Sequence, residues 1–450
     1  MKKLFQYILM AVAVVVTASC SNELDEALQP AGNGTLQFVV SDFPMFGEGI
    51  QTRVIGTQDE GKTAWENGDQ IIITLTSERF GEQTTAITYD GTNWGTEVSL
   101  SYLENEIPTV SAVYAPCYEV TVEGVKQLRS GMQLGMCEYL EADCEIQNGT
   151  INISFADALR TYSRLRIAGL ENQTLTVTTT DFTPAGATSV ATEPYTLTTD
   201  EKGNAYLYGT FAEGATVKVK KGDVTLTDYT FTFTTELIQS YALDATPVID
   251  GTLGGKATAE ESDITALVEQ LKAYVDNGIT TIIVPGSEPA LIEMDSWTNT
   301  AIGEAIYRLS GSDDYDENNP YNGKIDLILQ DVTEIVDQEF YSAWALNSIT
   351  LPKVTKLADQ AFYGTLYLRT ITFGSVITEV NELGAIFNQV GYKVGGCDLI
   401  LNCGQMNESN VPAPDLTNNI WKFKFENEFK SITLTHTGEN SECDECKKLQ

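Results

Sequence analysis

Laid over itself with a shift of 22 residues, the stretch Leu327 to Thr350 matches Ile349 to Thr372 at 10 of 24 positions, among them Val332/Val354, Asp337/Asp359, Gln338/Gln360, Phe340/Phe362 and Leu346/Leu368. A unit this short cannot enclose a core of its own, so each copy must bury its apolar edge on the next one. That requirement selects a stack of coils, each with one short strand and spaced apolar residues. A third coil, Ile371 to Phe387, keeps Val376 and Val380 and carries an insertion. Strand-like text at Asp398 to Leu401 and Ser431 to Leu434 continues or caps the stack.

Upstream the text changes style. From about residue 34 to 250 it consists of short alternating runs rich in Thr, Val, Ile, Tyr and Phe, such as Leu36 to Val40, Ile71 to Leu75, Leu175 to Val177 and Tyr229 to Phe233. Turn signals such as Asp90-Gly91 and Lys221-Gly222-Asp223 break them. Period-two spacing of this kind writes half-buried strands and hence β-sandwiches. The stretch Ala156 to Ile167 fits helix or strand. After the linker Gly251 to Gly255, Ser262 or Asp263 is placed to cap a helix whose apolar face is Ile264, Leu267, Val268, Leu271 and Val275, with Gly278 to end it. A buried strand, Ile279 to Val284, and a second helix around Trp297 to Leu309 follow. The acidic loop Ser312 to Pro320 lacks the spaced ligands and glycine of a calcium hand.

The first residues bear on compartment. Lys2-Lys3, an apolar run from Leu4 to Val16 and Thr17-Ala18-Ser19-Cys20 form a secretory signal with a lipobox-like end, in which Cys20 is acylated. The run is too short to span a bilayer. The acidic segment Ser21 to Glu26 is similar to an export tag for the outer face of the outer membrane. With 63 acidic against 27 basic residues and a net charge of -36, the chain repels nucleic acid, and membrane contact falls to the lipid anchor alone. Of eight cysteines, Cys20 is spent on the anchor. The other seven, Cys117, Cys137, Cys144, Cys397, Cys403, Cys443 and Cys446, are odd in number, so at least one thiol stays unpaired. Cys397 and Cys403 fit a local bridge or two buried thiols. Cys443 and Cys446 have a half-site spacing without a second close pair, which favours a tail disulfide or plain thiols over metal.

Nothing nominates a catalytic centre. His436 is the one histidine, no phosphate-cradling glycine loop precedes a helix, and 63 carboxylates single out no pair. Trp94, Trp297, Trp344 and Trp421 read as core before they read as sugar platforms. No enzyme activity, cofactor or metal is expected.

Two resemblances add to this. The run Leu351-Pro-Lys-Val-Thr-Lys-Leu357, then Ala361-Phe362 and Leu368, resembles the bacterial surface-antigen (BspA-type) leucine-rich repeat. It departs from that pattern at Ala358 and Val336, where the family prefers Gly, and at Glu339, which replaces Ala before Phe340. Thr52-Arg53-Val54, Trp65-Glu-Asn-Gly68-Asp69-Gln-Ile71 and Phe155 to Ile167 resemble the fimbrillin-like family of fimbrial subunits and their relatives. The first resemblance implies binding of host or partner macromolecules at the cell surface. The second implies two β-sandwich domains and, in polymerising members, removal of a first strand, here Leu36 to Val40, by cleavage after Arg53, with strand addition from the next subunit.

The expected architecture is therefore multidomain and mostly β: signal 1–19, acidic tether 20–33, fimbrillin-like β-sandwiches 34–150 and 151–250, an α/β lead-in 251–322, and a short leucine-rich repeat solenoid with cap 323–450. The expected function is that of an outer-membrane, lipid-anchored binding or adhesion protein facing the cell exterior, with a protein or glycan ligand. Its alternatives are a fimbrial accessory or tip subunit with pilus partners, and a glycan-binding lipoprotein. Glu334/Lys356 and Asn347/Arg369, which differ between coils, are candidate recognition positions.

Overall fold

The structure is a computed structural model that describes residues 36–44, 46, 62–96, 98–103, 106–155, 160–293, 298–312, 314–380, 386–402 and 429–435. Cys20, Arg53, Cys403, Trp297, Trp421, His436, Cys443 and Cys446 lie outside them. The chain is mostly β and multidomain, and its described residues form three separate buried clusters.

The first unit holds β1 (Gln37–Val40), β2 (Gln70–Ser77), β3 (Gly81–Tyr89), β4 (Trp94–Gly95), β5 (Thr109–Tyr114), β6 (Tyr118–Val120), β7 (Lys126–Leu128), β8 (Leu140–Gln147) and β9 (Thr150–Ser154). Seven of them form one sheet in the order β1-β9-β8-β5-β2-β3-β4, which curls until β1 approaches β4. Ile71, Ile73, Ile87, Tyr114, Ile151 and Ile153 fill the inside. β8 and β9 are joined by Asn148-Gly149, both at positive φ, the turn that suits right-twisted strands. This pairing carries the sheet past residue 150, to Ser154. Cys117 and Cys137 form a disulfide.

The second unit is a sandwich of β10 (Ser163–Ala168), β11 (Thr174–Thr179), β12 (Phe182–Pro184), β13 (Tyr195–Thr198), β14 (Asn204–Phe211), β15 (Thr216–Lys221), β16 (Val224–Thr230) and β17 (Ser240–Asp244). Its sheets, ordered β12-β14-β10-β17 and β13-β11-β15-β16, enclose Leu165, Val177, Leu207, Val217 and the stacked rings of Phe182, Phe211 and Phe231. The ambiguous stretch before Ile167 is thus strand from Ser163 onward; residues 156–159 lie outside the description.

The third unit opens with α1 (Glu261–Asp276), β18 (Thr281–Val284), β19 (Leu291–Glu293), β20 (Thr298–Thr300) and α2 (Ala301–Leu309). Glu260 is the N-cap of α1, one position before the helix begins. Asp263, expected there, sits at the third helical position and closes a capping box with Glu260. Gly278 ends the helix at φ +71°. The second helix begins at Ala301 and not near Trp297, because Thr298–Thr300 pairs antiparallel with Leu291–Glu293 and Thr300 then caps the helix.

The coils follow as β21 (Ile325–Leu329), β22 (Glu334–Ile335), β23 (Leu346–Leu351), β24 (Lys356–Leu357), β25 (Thr370–Phe373), β26 (Glu379–Val380), β27 (Cys397–Asn402) and β28 (Phe429–Thr435). Their main strands make a parallel sheet, β18-β21-β23-β25-β27-β28, and the short strands a parallel ladder, β22-β24-β26. Leu327, Ile349 and Ile371 sit side by side, as the 22-residue shift requires. β18 of the lead-in is the first rung of this same sheet, so lead-in and coils share one core. Phe340, Phe362 and Phe387 stack through it with centroids 5.6 Å apart at each step.

The third coil corrects one expectation. Lys356 pairs with Glu379 and Leu357 with Val380, a step of 23 residues. Ile377, fully buried, therefore takes the inward place of Val354, and Val376 is left half-buried at the insertion.

Candidate functional site

The coil faces carry the candidate recognition positions of the sequence. Glu334, Lys356 and Glu379 occupy one rung after another of the β22-β24-β26 ladder, and Lys356 Nζ lies 3.1 Å from Glu379 Oε2. Asn347 donates to Asp326 Oδ1 at 2.7 Å, and Ser348 to the same oxygen at 2.6 Å. Asp398 repeats the arrangement with Ser431 and Lys430. Lys356 thus stands on the rung between Glu334 and Glu379, where a like charge would repel its neighbours. The ladder accounts for the Glu334/Lys356 difference, and Arg369 remains exposed on the surface.

The head of the stack offers different geometry. Between the loop after residue 251, the loop Gly286 to Pro289 and the first coil lies a cleft of about 800 Å³. Leu291, Pro289, Leu329, Val332 and Val336 give it apolar walls; Lys256, Glu288, Glu334, Thr300 and Glu339 give it polar groups.

Glu339 is the unusual one, only 2% exposed. It accepts from the Thr300 hydroxyl and, at 3.2 Å, from the Thr300 backbone N–H, while Thr300 Oγ1 accepts from Gly303 N at 3.2 Å. The carboxyl is thereby held against the N-terminus of α2, where a helix favours negative charge. Position 303 has to be glycine, because a Cβ there would stand 2.2 Å from the Glu339 carbonyl oxygen. Burial nevertheless dominates: it pushes the Glu339 carboxyl up to about 7 against the downward pull of the Thr300 hydrogen bonds. Lys256 is turned to Asp263, at 2.8 Å. Among the described residues no three Asp, Glu, His or Cys side chains converge as a metal site.

Other expected features fall elsewhere. Trp94 packs against Trp65 and Tyr89, and Trp344 is 6% exposed, its indole N–H donating to Gly364 O at 3.0 Å. Cys397 is a free, buried thiol that burial pushes up to about 12. Cys144 is also free, pushed up to about 11. Among the described residues no helix is long and apolar enough to cross a membrane.

The sequence flagged Glu339 only as a repeat position that should be small. That mismatch was the available signal, since Ala361 takes the same place in the next coil.

The N-terminal edge is a second feature. Among the described residues β1 pairs, in parallel, with β9 alone, at the edge of its sheet, and sends Phe38 and Val40 toward the core. The chain after it is anchored further. Trp65 Nε1 donates to Ser41 O at 2.8 Å, Phe43 packs on Trp65 and Tyr114, and Arg160 donates to Pro44 O at 3.0 Å.

No family model matches the chain, and no curated protein does. Among solved structures it is similar to one described as a candidate cell adhesion protein from Bacteroides fragilis NCTC 9343, at 12% identity and a TM-score of 0.22, over 47% of this chain and 92% of that one. It is also similar to a variant of the shaft pilin SpaA from Lactobacillus rhamnosus GG, at 12% identity and a TM-score of 0.17, over 47% and 97%. Scores this low carry no argument about fold or function.

Proposed function

We propose that the chain is a lipid-anchored binding or adhesion protein of the outer membrane, tethered at Cys20, that faces the cell exterior and recognises a macromolecular ligand through its repeat region. We also propose that it works by binding and not by catalysis. The observation that carries the reading is the in-register stack of parallel coils, which presents a continuous surface with a cleft at its head. Such a stack places side chains at fixed spacing over a long face, which suits recognition of an extended partner. Intact cells displaying the protein are expected to retain extracellular-matrix proteins or glycans that cells lacking the gene release. Equal retention by both sinks the reading.

A second reading, a fimbrial accessory or tip subunit, is favoured by the edge position of β1, whose loss would open the β9 edge and the sites of Phe38 and Val40 to an incoming strand. Cleavage after Arg53 would also remove Phe43, which is 5% exposed, so the cut subunit is expected to melt well below the intact chain until a donor strand refills the groove. Mass spectrometry of sheared surface material tests it: a pool starting at Val54 supports the subunit, and material starting solely at acylated Cys20 refutes it.

A further inference from the structure

We propose that the cleft at the head of the coil stack is a socket for a lysine side chain of a basic protein partner, with Glu339 receiving its ammonium; this rests on the macromolecule-binding reading above. The shape fits first. Leu291, Val332 and Val336 line the walls, and Glu339 is buried with its polar contacts at Thr300. Apolar walls with a buried carboxyl residue among them match an aliphatic stem ending in a cation.

Charge points the same way. The other charged residues that line the cleft are Glu288, Glu334 and Lys256, and Lys256 is already bonded to Asp263. On α2, Glu304 is taken by Arg308 at 2.7 Å. A ligand therefore meets a negative surround, on a chain whose net charge of -36 attracts basic partners at long range. Among the described residues the carboxylates do not converge as a metal site, so a single positive charge fits better than a divalent ion. A carboxylate has about four acceptor positions, and Thr300 fills two of them, leaving capacity for an ammonium.

Protonation supports this geometry. Burial holds the Glu339 carboxyl near neutrality, so an ammonium selects its ionised form and binding releases a proton. The probe is Nα-acetyl-lysine methylamide, titrated by calorimetry into the intact protein near pH 6, 7 and 8, with the norleucine analogue as the stem without its charge. Expected are binding of the lysine compound alone, affinity rising about tenfold from pH 6 to 8, and buffer-dependent heats that report proton release. Glu339→Gln is expected to lose the pH dependence and most of the affinity. Leu291→Trp, which fills the cleft from a half-exposed position, is expected to abolish binding with circular dichroism and melting unchanged.

Absence of binding at millimolar probe, equal binding of norleucine, or an unchanged pH profile in Glu339→Gln overturns the socket. Binding of the probe without competition by a lysine-rich peptide overturns the protein source and points to a free amine. Retained adhesion in Leu291→Trp cells overturns the cleft as the adhesive contact while the adhesion reading survives. Absent adhesion in wild-type cells that still bind the probe defeats the adhesion reading instead.

Discussion

Glu339 shows how one side chain can carry an electrostatic cost inside a fold built on apolar stacking. Its neighbour Phe340 joins the ring stack, while its own carboxyl is fixed by Thr300, 39 residues away. Because the folded carboxyl sits near 7, above the usual carboxylate range, its favourable state is the protonated one. The stability it supports is complete at acid pH and is lost as pH rises through 7, by about 3 kcal/mol in all. Glu339→Gln is accordingly expected to gain on wild type by about that amount between pH 5 and 8, measured by urea unfolding at both ends. A constant difference across that range would show that the carboxyl is not held near neutrality. The sequence displayed this residue as a mismatch against Ala361; its partner and its burial depend on α2 arriving from elsewhere in the chain.

Individual elements were legible to the extent that their information is local. The 22-residue period fixed the strand register, since Leu327, Ile349 and Ile371 must face the same core to be buried. Identity misled in the third coil, where Val376 matches Val354 by residue type but the inserted residue hands the inward position to Ile377. Ile377→Ala is therefore expected to cost about 2–5 kcal/mol and Val376→Ala less than about 1 kcal/mol, by chemical denaturation. Comparable losses at both would mean the coil is not offset by one residue. The start of α2 was misplaced because Thr298–Thr300 is claimed by a hairpin with Leu291–Glu293, a pairing that periodicity cannot see. The Cys117–Cys137 bridge was likewise invisible, since pairing seven cysteines is a question of space. Replacing both by serine is expected to cost about 3 kcal/mol for a loop of this length, read as a shift in denaturant midpoint between variant and oxidised wild type.

At the scale of the molecule, the sandwich text and the repeat text announced separate cores, and the described residues hold three buried clusters. How the first core is locked was not legible. Arg160 donates to both Glu138 oxygens, at 3.2 and 3.0 Å, and to Pro44 O, and Tyr162 donates to Glu138 at 2.6 Å. That buried network ties the segment after β1 to the start of the second unit through residues far apart in the chain. Removing one member of such a pair strands the other, so Glu138→Ala is expected to cost about 3–5 kcal/mol and to speed proteolysis near Pro44, followed by limited digestion. The cleft was hidden for the same reason, drawn as it is from residues 252 to 339. The coils have the opposite character, for each depends only on its neighbours. Excising residues 346–367 would join Ala345 to Leu368, set β25 directly on β21 and shorten the sheet by one strand spacing, about 4.8 Å. Reach is therefore something this architecture changes in whole steps: a lineage that duplicates or drops one coil alters how far the protein extends without redesigning anything else.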